Sequence, residues 1–195
     1  MTSRDAILAA VRANAPPPAP PVPPIPDFAP AGGPLLAAFN ERLAAMGGKL
    51  AAADDGATLD ALIATLFPDA KVIASATPEV RGTRPLAAAT APADLADVDV
   101  GVVRAAFGVA ETGSVWLSED ELKINALAYL AQHLVVLLDP AHIVGNLHHA
   151  YRDPRFATAR YAVLVTGPSA TADIEGVLIH GAQGVRSLTV VLRPL

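Results

Sequence analysis

Ten prolines fall within residues 15–34, among them Pro16-Pro17-Pro18 and Pro20-Pro21. Proline has no backbone N–H and a fixed φ, so this stretch can neither carry a helix nor sit inside a sheet. It reads as an extended polyproline linker that divides the chain in two. Before it, Ile7, Leu8 and Val11 lie on one stripe of a short helix over residues 2–14, with Ser3 as its candidate cap. After it, residues 35–195 are enough for one α/β domain that buries its core without covalent staples.

Composition narrows the function classes. There is no cysteine, which excludes disulfides, Cys-ligated zinc and an iron–sulfur cluster held by thiolates of this chain. The net charge is −5 and the Lys and Arg residues are scattered. Nucleic acid is therefore not expected as a partner, since phosphate binding needs a concentrated basic face. No apolar run reaches the ~20 residues of a membrane span, and the N-terminus has no signal-peptide core. The mean hydropathy of +0.40 comes largely from alanine. The expectation is a cytoplasmic protein without a membrane span.

Apolar periodicity places the elements. Leu35, Leu36, Phe39, Leu43 and Met46 predict a helix stopped by Gly47-Gly48, and Leu59 to Leu66 a second helix ended by Pro68. Strands are predicted at 71–74, 98–103, 114–117, 133–138, 160–165 and 187–192. Helices are predicted at 122–130, 141–151 and 172–179, and residues 76–96 read as loop with a short helix. Alternating strands and helices, with several strands apolar throughout, predict a mostly parallel sheet with helices on both faces.

Two polar turns are candidates for a site. The first is Gly167-Pro168-Ser169-Ala170-Thr171-Ala172-Asp173-Ile174-Glu175, read as a strand exit leading into a helix start. Ligands of open α/β sheets bind beyond the carboxyl ends of strands, at turns of this kind. Thr171 is a candidate N-cap with Asp173 in the first turn. One reading stops at that capped helix. The other is a ligand cradle in which Ser169 and Thr171 donate, while Asp173 and Glu175 suit a hydroxyl or a hydrated Mg²⁺ better than a bare phosphate. Asp173 and Glu175 are two apart and do not share a helix face, so an acid/base pair is not expected.

The second turn is Ala110-Glu111-Thr112-Gly113-Ser114. Either Gly113 supplies a positive φ and Glu111 is solvated, or Glu111 faces a pocket as a nucleophile, base or hydroxyl-binding group. His148-His149 do not suit one metal ion, because neighbours on a helix point about 100° apart. His180 reads as a helix C-terminal residue and Trp116 as core.

Read together with Gly181-Ala182-Gln183-Gly184-Val185-Arg186-Ser187-Leu188, these segments resemble the LUD domain, the lactate-utilisation family that includes LutC and its YkgG-type relatives. The Gly167–Glu175 stretch resembles the family's Gly-Pro-Ser-x-Thr-Ala-Asp-Ile-Glu signature, and the resemblance covers roughly residues 35–195. Gln183 stands where the family usually has His, and Val185 where it usually has Pro, so a proton-transfer role does not carry over to Gln183. The resemblance implies a NagB/RpiA/CoA-transferase-like fold and a part in oxidising L-lactate to pyruvate beside iron–sulfur partner proteins. The implied ligand-binding set is Glu111, Thr112, Gly113, Ser114, Gly167, Ser169, Thr171, Asp173, Glu175, Gln183 and Gly184. The ligand would be a small acid or nucleotide-like molecule. The alternative is a stand-alone CoA-transferase-like or cyclo-ligase-like enzyme using Glu111.

Overall fold

The computed structural model describes every residue except 1, 17–20, 22, 25, 27, 29–32, 53–57, 87–90 and 174. Much of the proline-rich linker lies outside the described residues, as does Ile174 of the predicted helix 172–179. Helix α1 (Ser3–Ala13) is capped by Thr2 rather than Ser3. The Asp5 N–H donates to the Thr2 hydroxyl, and the Thr2 N–H donates to the Asp5 carboxylate. None of its residues is buried. The linker touches the domain at Phe28, whose carbonyl accepts from Asn146 Nδ2 (2.9 Å) and whose ring lies 4.5 Å from that of His148.

Next come α2 (Leu35–Ala45), β1 (Lys49–Ala52), α3 (Leu59–Leu66), β2 (Ile73–Ser75) and β3 (Arg84–Pro85). A 3-10 turn, Pro92–Leu95, leads to β4 (Val100–Arg104), β5 (Gly108–Val109) and β6 (Ser114–Ser118). The chain continues through α4 (Glu119–Leu122), α5 (Leu127–Leu130), β7 (His133–Leu138), β8 (Ile143–Val144), α6 (Leu147–Ala150) and α7 (Arg155–Thr158). It ends with β9 (Ala162–Val165), β10 (Ala170–Thr171), β11 (Ile179–His180) and β12 (Ser187–Leu192).

Six strands form an all-parallel sheet in the order β1-β12-β7-β4-β2-β3. Burial on both faces explains the unbroken apolar runs. Leu134, Val136 and Leu138 of β7 point into one core with Phe39 and Leu43 of α2 and Leu127 of α5. Val135 and Leu137 point into the other, with Leu59 and Ile63 of α3. The expected α/β architecture, a mostly parallel sheet covered on both faces, is what the chain forms. A second sheet of four strands, in the order β8-β5-β6-β9, adds a layer. Behind it Trp116 packs at 5.5 Å on Phe107 and 4.1 Å from Phe156 in a small third cluster.

Three sequence expectations are corrected. β9 does not join the parallel sheet; it runs antiparallel to β6, with Trp116 opposite Leu164. Residues 172–179 are not a helix. Ala170–Thr171 pairs antiparallel with Ile179–His180, closing a hairpin whose turn holds Glu175 and Gly176 at φ +55° and +69°. Val177, Leu178 and Ile179 are exposed there, so a helix in this place would have no core for its apolar face to cover. His180 therefore lies on a hairpin strand, not at a helix end. Finally, the predicted helix 141–151 is cut short. Ile143–Val144 pairs with β5, and the helix begins only after Asn146, whose side chain accepts from the His149 N–H.

Candidate functional site

All six strands of the large sheet point the same way, so the sheet has one amino edge and one carboxyl edge. The family-like turns gather toward the amino edge. Gly167 sits at φ +63°, and a Cβ there would stand 2.0 Å from the Met46 carbonyl oxygen, just before β1. Gly113, at φ +65°, lies against α2; its Cβ would be 2.2 Å from the Leu43 nitrogen. Ser114 Oγ donates to Thr112 Oγ1 (2.7 Å) and shares a hydrogen bond with Thr166 Oγ1. The structure therefore brings Thr112, Gly113, Ser114 and Gly167 together against one end of α2.

Ser169 and Gly184 meet nearby. The Ser169 N–H donates to the Val185 carbonyl, the Gly181 N–H donates to the Ser169 carbonyl, and a Cβ on Gly184 would be 3.0 Å from that of Ser169. Gln183, Asp173 and Glu175 are exposed. Thr171 Oγ1 donates to the Asp173 carboxylate on the hairpin, not to a helix N-terminus. Thr171→Val is therefore expected to change unfolding free energy by less than about 0.5 kcal/mol, the range of ordinary surface substitutions. A loss of about 1 kcal/mol or more in urea unfolding would restore a capping role.

Glu111 does not join this group. Its carboxylate accepts from the Leu147 N–H (3.0 Å) at the start of α6. These turns do not sit beyond the carboxyl end of a parallel strand either. β9, which leads into Gly167, belongs to the small antiparallel layer, so the strand-end argument does not apply to it.

The carboxyl edge holds what the sequence reading did not single out. A cavity of about 550 Å³ opens beyond β2 and β4, lined by Thr77, Glu79, Arg104, Ala105, Asp120, Glu121, Lys123, His142 and Arg155 among others. None of the eleven residues named from the sequence lines it. Its framework is built from strand ends. Ser75, the last residue of β2, donates through Oγ to the Thr77 carbonyl (2.8 Å) and accepts from the Thr77 N–H. The Thr77 hydroxyl donates to Glu79 Oε2 (2.6 Å). Arg104, the last residue of β4, donates through Nε to the same oxygen (2.7 Å), pairs through Nη2 with Oε1, and donates through Nη1 to the Arg193 carbonyl (3.1 Å). The guanidinium holds the Glu79 carboxyl below the usual carboxylate range against the opposing effect of burial, and Thr77 adds to it. Asp139, just past β7, accepts from the Ala141 and Leu195 N–H groups, which keep it ionised.

Many of the charges around this cavity are already engaged. Glu121 accepts from the Ser118 N–H and hydroxyl. Arg155 pairs with Asp153 (3.1 Å) and lies 5.8 Å from the Phe107 ring centre. Lys123, held at φ +59° at the end of α4, and Asp120 have no side-chain hydrogen bond or ion pair among the described residues. The result is a cleft lined by the small apolar residues Ala76, Ala105 and Ala106, by the Lys123 ammonium, which is unengaged among the described residues, and by the imidazole of His142. A small carboxylate or a hydroxylated acid matches that set of donors. The only local signal in the sequence was Thr77-Pro78-Glu79 in a stretch read as loop.

Fold and cleft together define an α/β domain with a polar opening at the ends of its parallel strands. The LUD domain model matches residues 80–192, and the chain belongs to that family, which is associated with lactate utilisation. A solved DUF162 family protein from Deinococcus radiodurans has the same fold, with a TM-score of 0.63 at 18% identity over 81% of this chain and 95% of that one. An uncharacterized protein of Neisseria meningitidis serogroup B is 28% identical over 98 residues, 49% of this chain. The match spans 42% of that relative's own length. Among the described residues, no helix is long and apolar enough to cross a membrane.

Proposed function

We propose that this chain is a LutC-like accessory component of L-lactate oxidation to pyruvate, acting in the cytoplasm and binding a small organic acid in the carboxyl-edge cleft. The observation that carries this reading is the cleft itself. It lies where open α/β sheets bind ligands, and Lys123 and His142 line it together with three small apolar residues. Lys123 would hold the acid's carboxylate, Asp120 would accept from a hydroxyl, and the Glu79–Arg104 pair would keep the wall rigid. Family membership supports the process. The 195 residues contain no cysteine, so a thiolate-held cluster in such a system draws its ligands from outside these residues. Iron–sulfur proteins are the partners this reading requires. The family-like turns at 112–114 and 167–184 then serve as a second polar surface beside α2, open to a small ligand or to those partners.

Titration calorimetry with L-lactate, pyruvate and related hydroxy acids tests the reading. One-site binding is expected, weakened about tenfold by Lys123→Ala, the loss of roughly 1.4 kcal/mol. Absence of heat with every acid, or equal binding by Lys123→Ala, would remove the cleft from the proposal.

A further inference from the structure

The amino edge of the large sheet carries a cavity of its own, about 440 Å³, lined by Lys49, Phe67, Asp69, His133, Arg186 and Ser187 among others. Its residues come from strand starts that the parallel register sets side by side. Ser187, the first residue of β12, stands opposite His133, the first residue of β7, and His133 stands opposite Val100 of β4. Ser187 Oγ and His133 Nδ1 are 2.8 Å apart and hydrogen-bonded. The Phe67 ring lies 4.8 Å from the imidazole.

The charges here are arranged asymmetrically. Asp99 also lines the cavity, but its carboxylate already accepts from the Lys71 and Val72 N–H groups (2.8 and 2.9 Å). Lys49 and Arg186 are exposed, and neither side chain has a hydrogen bond or an ion pair among the described residues. Gly181 helps to place Arg186. A Cβ there would fall 2.8 Å from the Arg186 Cγ and 2.9 Å from its Cα, so the glycine lets the arginine stem lie close against the 181–186 loop. Asp69 is the cavity's other acid.

We propose that this amino-edge cavity is a binding site for a mononucleotide, with its phosphate on Lys49 and Arg186 and its base against Phe67. Lys49, the first residue of β1, and Arg186, in the loop just before β12, are two cations that fit a phosphate, and the Ser187 hydroxyl lines the same cavity as a third donor. The exposed carboxylate of Asp69 accepts from the sugar hydroxyls. An aromatic ring in the same cavity as two cations distinguishes a nucleotide from a free anion, because a base gains stacking that inorganic phosphate cannot. The volume is of the size that encloses a small ligand. The site is separate from the carboxyl-edge cleft and stands or falls without it.

Calorimetry with AMP, adenosine and inorganic phosphate tests the assignment. AMP is expected to bind more tightly than either fragment. Lys49→Gln with Arg186→Gln should weaken AMP about tenfold or more, and Phe67→Leu should weaken AMP while leaving inorganic phosphate unchanged. Lys123→Ala, at the other edge, should leave AMP binding intact. Because Phe67 is partly buried, the wild-type protein supplies a readout that needs no variant: the His133 ring resonances should shift during an AMP titration. AMP that fails to bind, binds equally well to the double variant, or leaves the His133 resonances in place overturns the proposal. So does phosphate that binds as tightly as AMP.

Discussion

Gly167→Ala is expected to lower the unfolding free energy by about 3–4 kcal/mol. Two costs add. A non-glycine residue in the left-handed region costs about 1 kcal/mol or somewhat more. The new Cβ would also stand 2.0 Å from the Met46 carbonyl oxygen and 2.9 Å from its carbon. Those are backbone atoms at the entrance to β1, so no rotamer change relieves the clash, and forcing a methyl into a packed place costs roughly 1–3 kcal/mol. Gly113→Ala belongs to the same class, since its Cβ would meet the Leu43 nitrogen at 2.2 Å. Gly176 supplies the control. It too has a positive φ, +69°, but nothing lies within 4 Å of its Cβ, so Gly176→Ala carries the conformational cost alone. In a thermal melt each kcal/mol is worth about 2–4 °C for a domain of this size. Gly167→Ala should therefore melt roughly 10 °C below the native protein and Gly176→Ala only a few degrees below. Equal melting of the two variants would mean that the close approach to α2 has no role.

Arg104→Met is expected to cost about 2 kcal/mol at neutral pH. The guanidinium side chain is 17% exposed and its Glu79 partner 29%, so the pair is screened less than a surface pair. Removing one member strands the other carboxylate in a partly buried place. It also removes the bond to the Arg193 carbonyl, which ties the exit of β12 to that of β4. The pH dependence follows from the lowered Glu79 carboxyl. A carboxyl whose folded-state value lies below its ordinary 4.5 adds stability that is fully present above that pH. That stability is lost as pH falls through the lower folded value. The gap between native protein and variant should thus be widest near neutrality and close on acidification below pH 4.5. Urea unfolding at several pH values measures it. A gap that stays constant down to pH 3 would show that Arg104 acts by packing and not by charge. Combining Arg104→Met with Glu79→Gln should cost less than the sum of the two, because both break one interaction.

The elements read correctly from the chain share a cause. β7 and β12 were placed to the residue, because a strand buried on both faces is apolar along most of its length, as in Leu134–Leu138 and Val190–Leu192. α2 and α3 show their 3.6-residue stripe because each covers one face of that sheet. The failures also share a cause. Residues 171–179 carry a cap residue, carboxylates and apolar positions at helical spacing, all of which are local. What decided their form was the surroundings: no core lies beneath them, and Ser169 is held to Val185 and Gly181 by backbone bonds. Ile143–Val144 likewise became a strand because β5 lay beside it, a partner more than thirty residues away.

The candidate sites divide along the same line. The glycine turns at 113 and 167 were legible because a left-handed backbone nearly demands glycine and so marks the chain. The carboxyl-edge cleft was not, since Thr77, Glu79, Arg104, Asp120, Lys123 and His142 come from separate segments and form no local pattern. By itself the sequence determined the class of fold, the two-sided burial of its central strands, the absence of thiolate chemistry and the family. Only the tertiary structure decided which ends of those strands face each other, and hence which charges share a cleft. Parallel pairing joins residues far apart in the chain, and its register is set by the packing of whole faces rather than by the identity of any one polar residue.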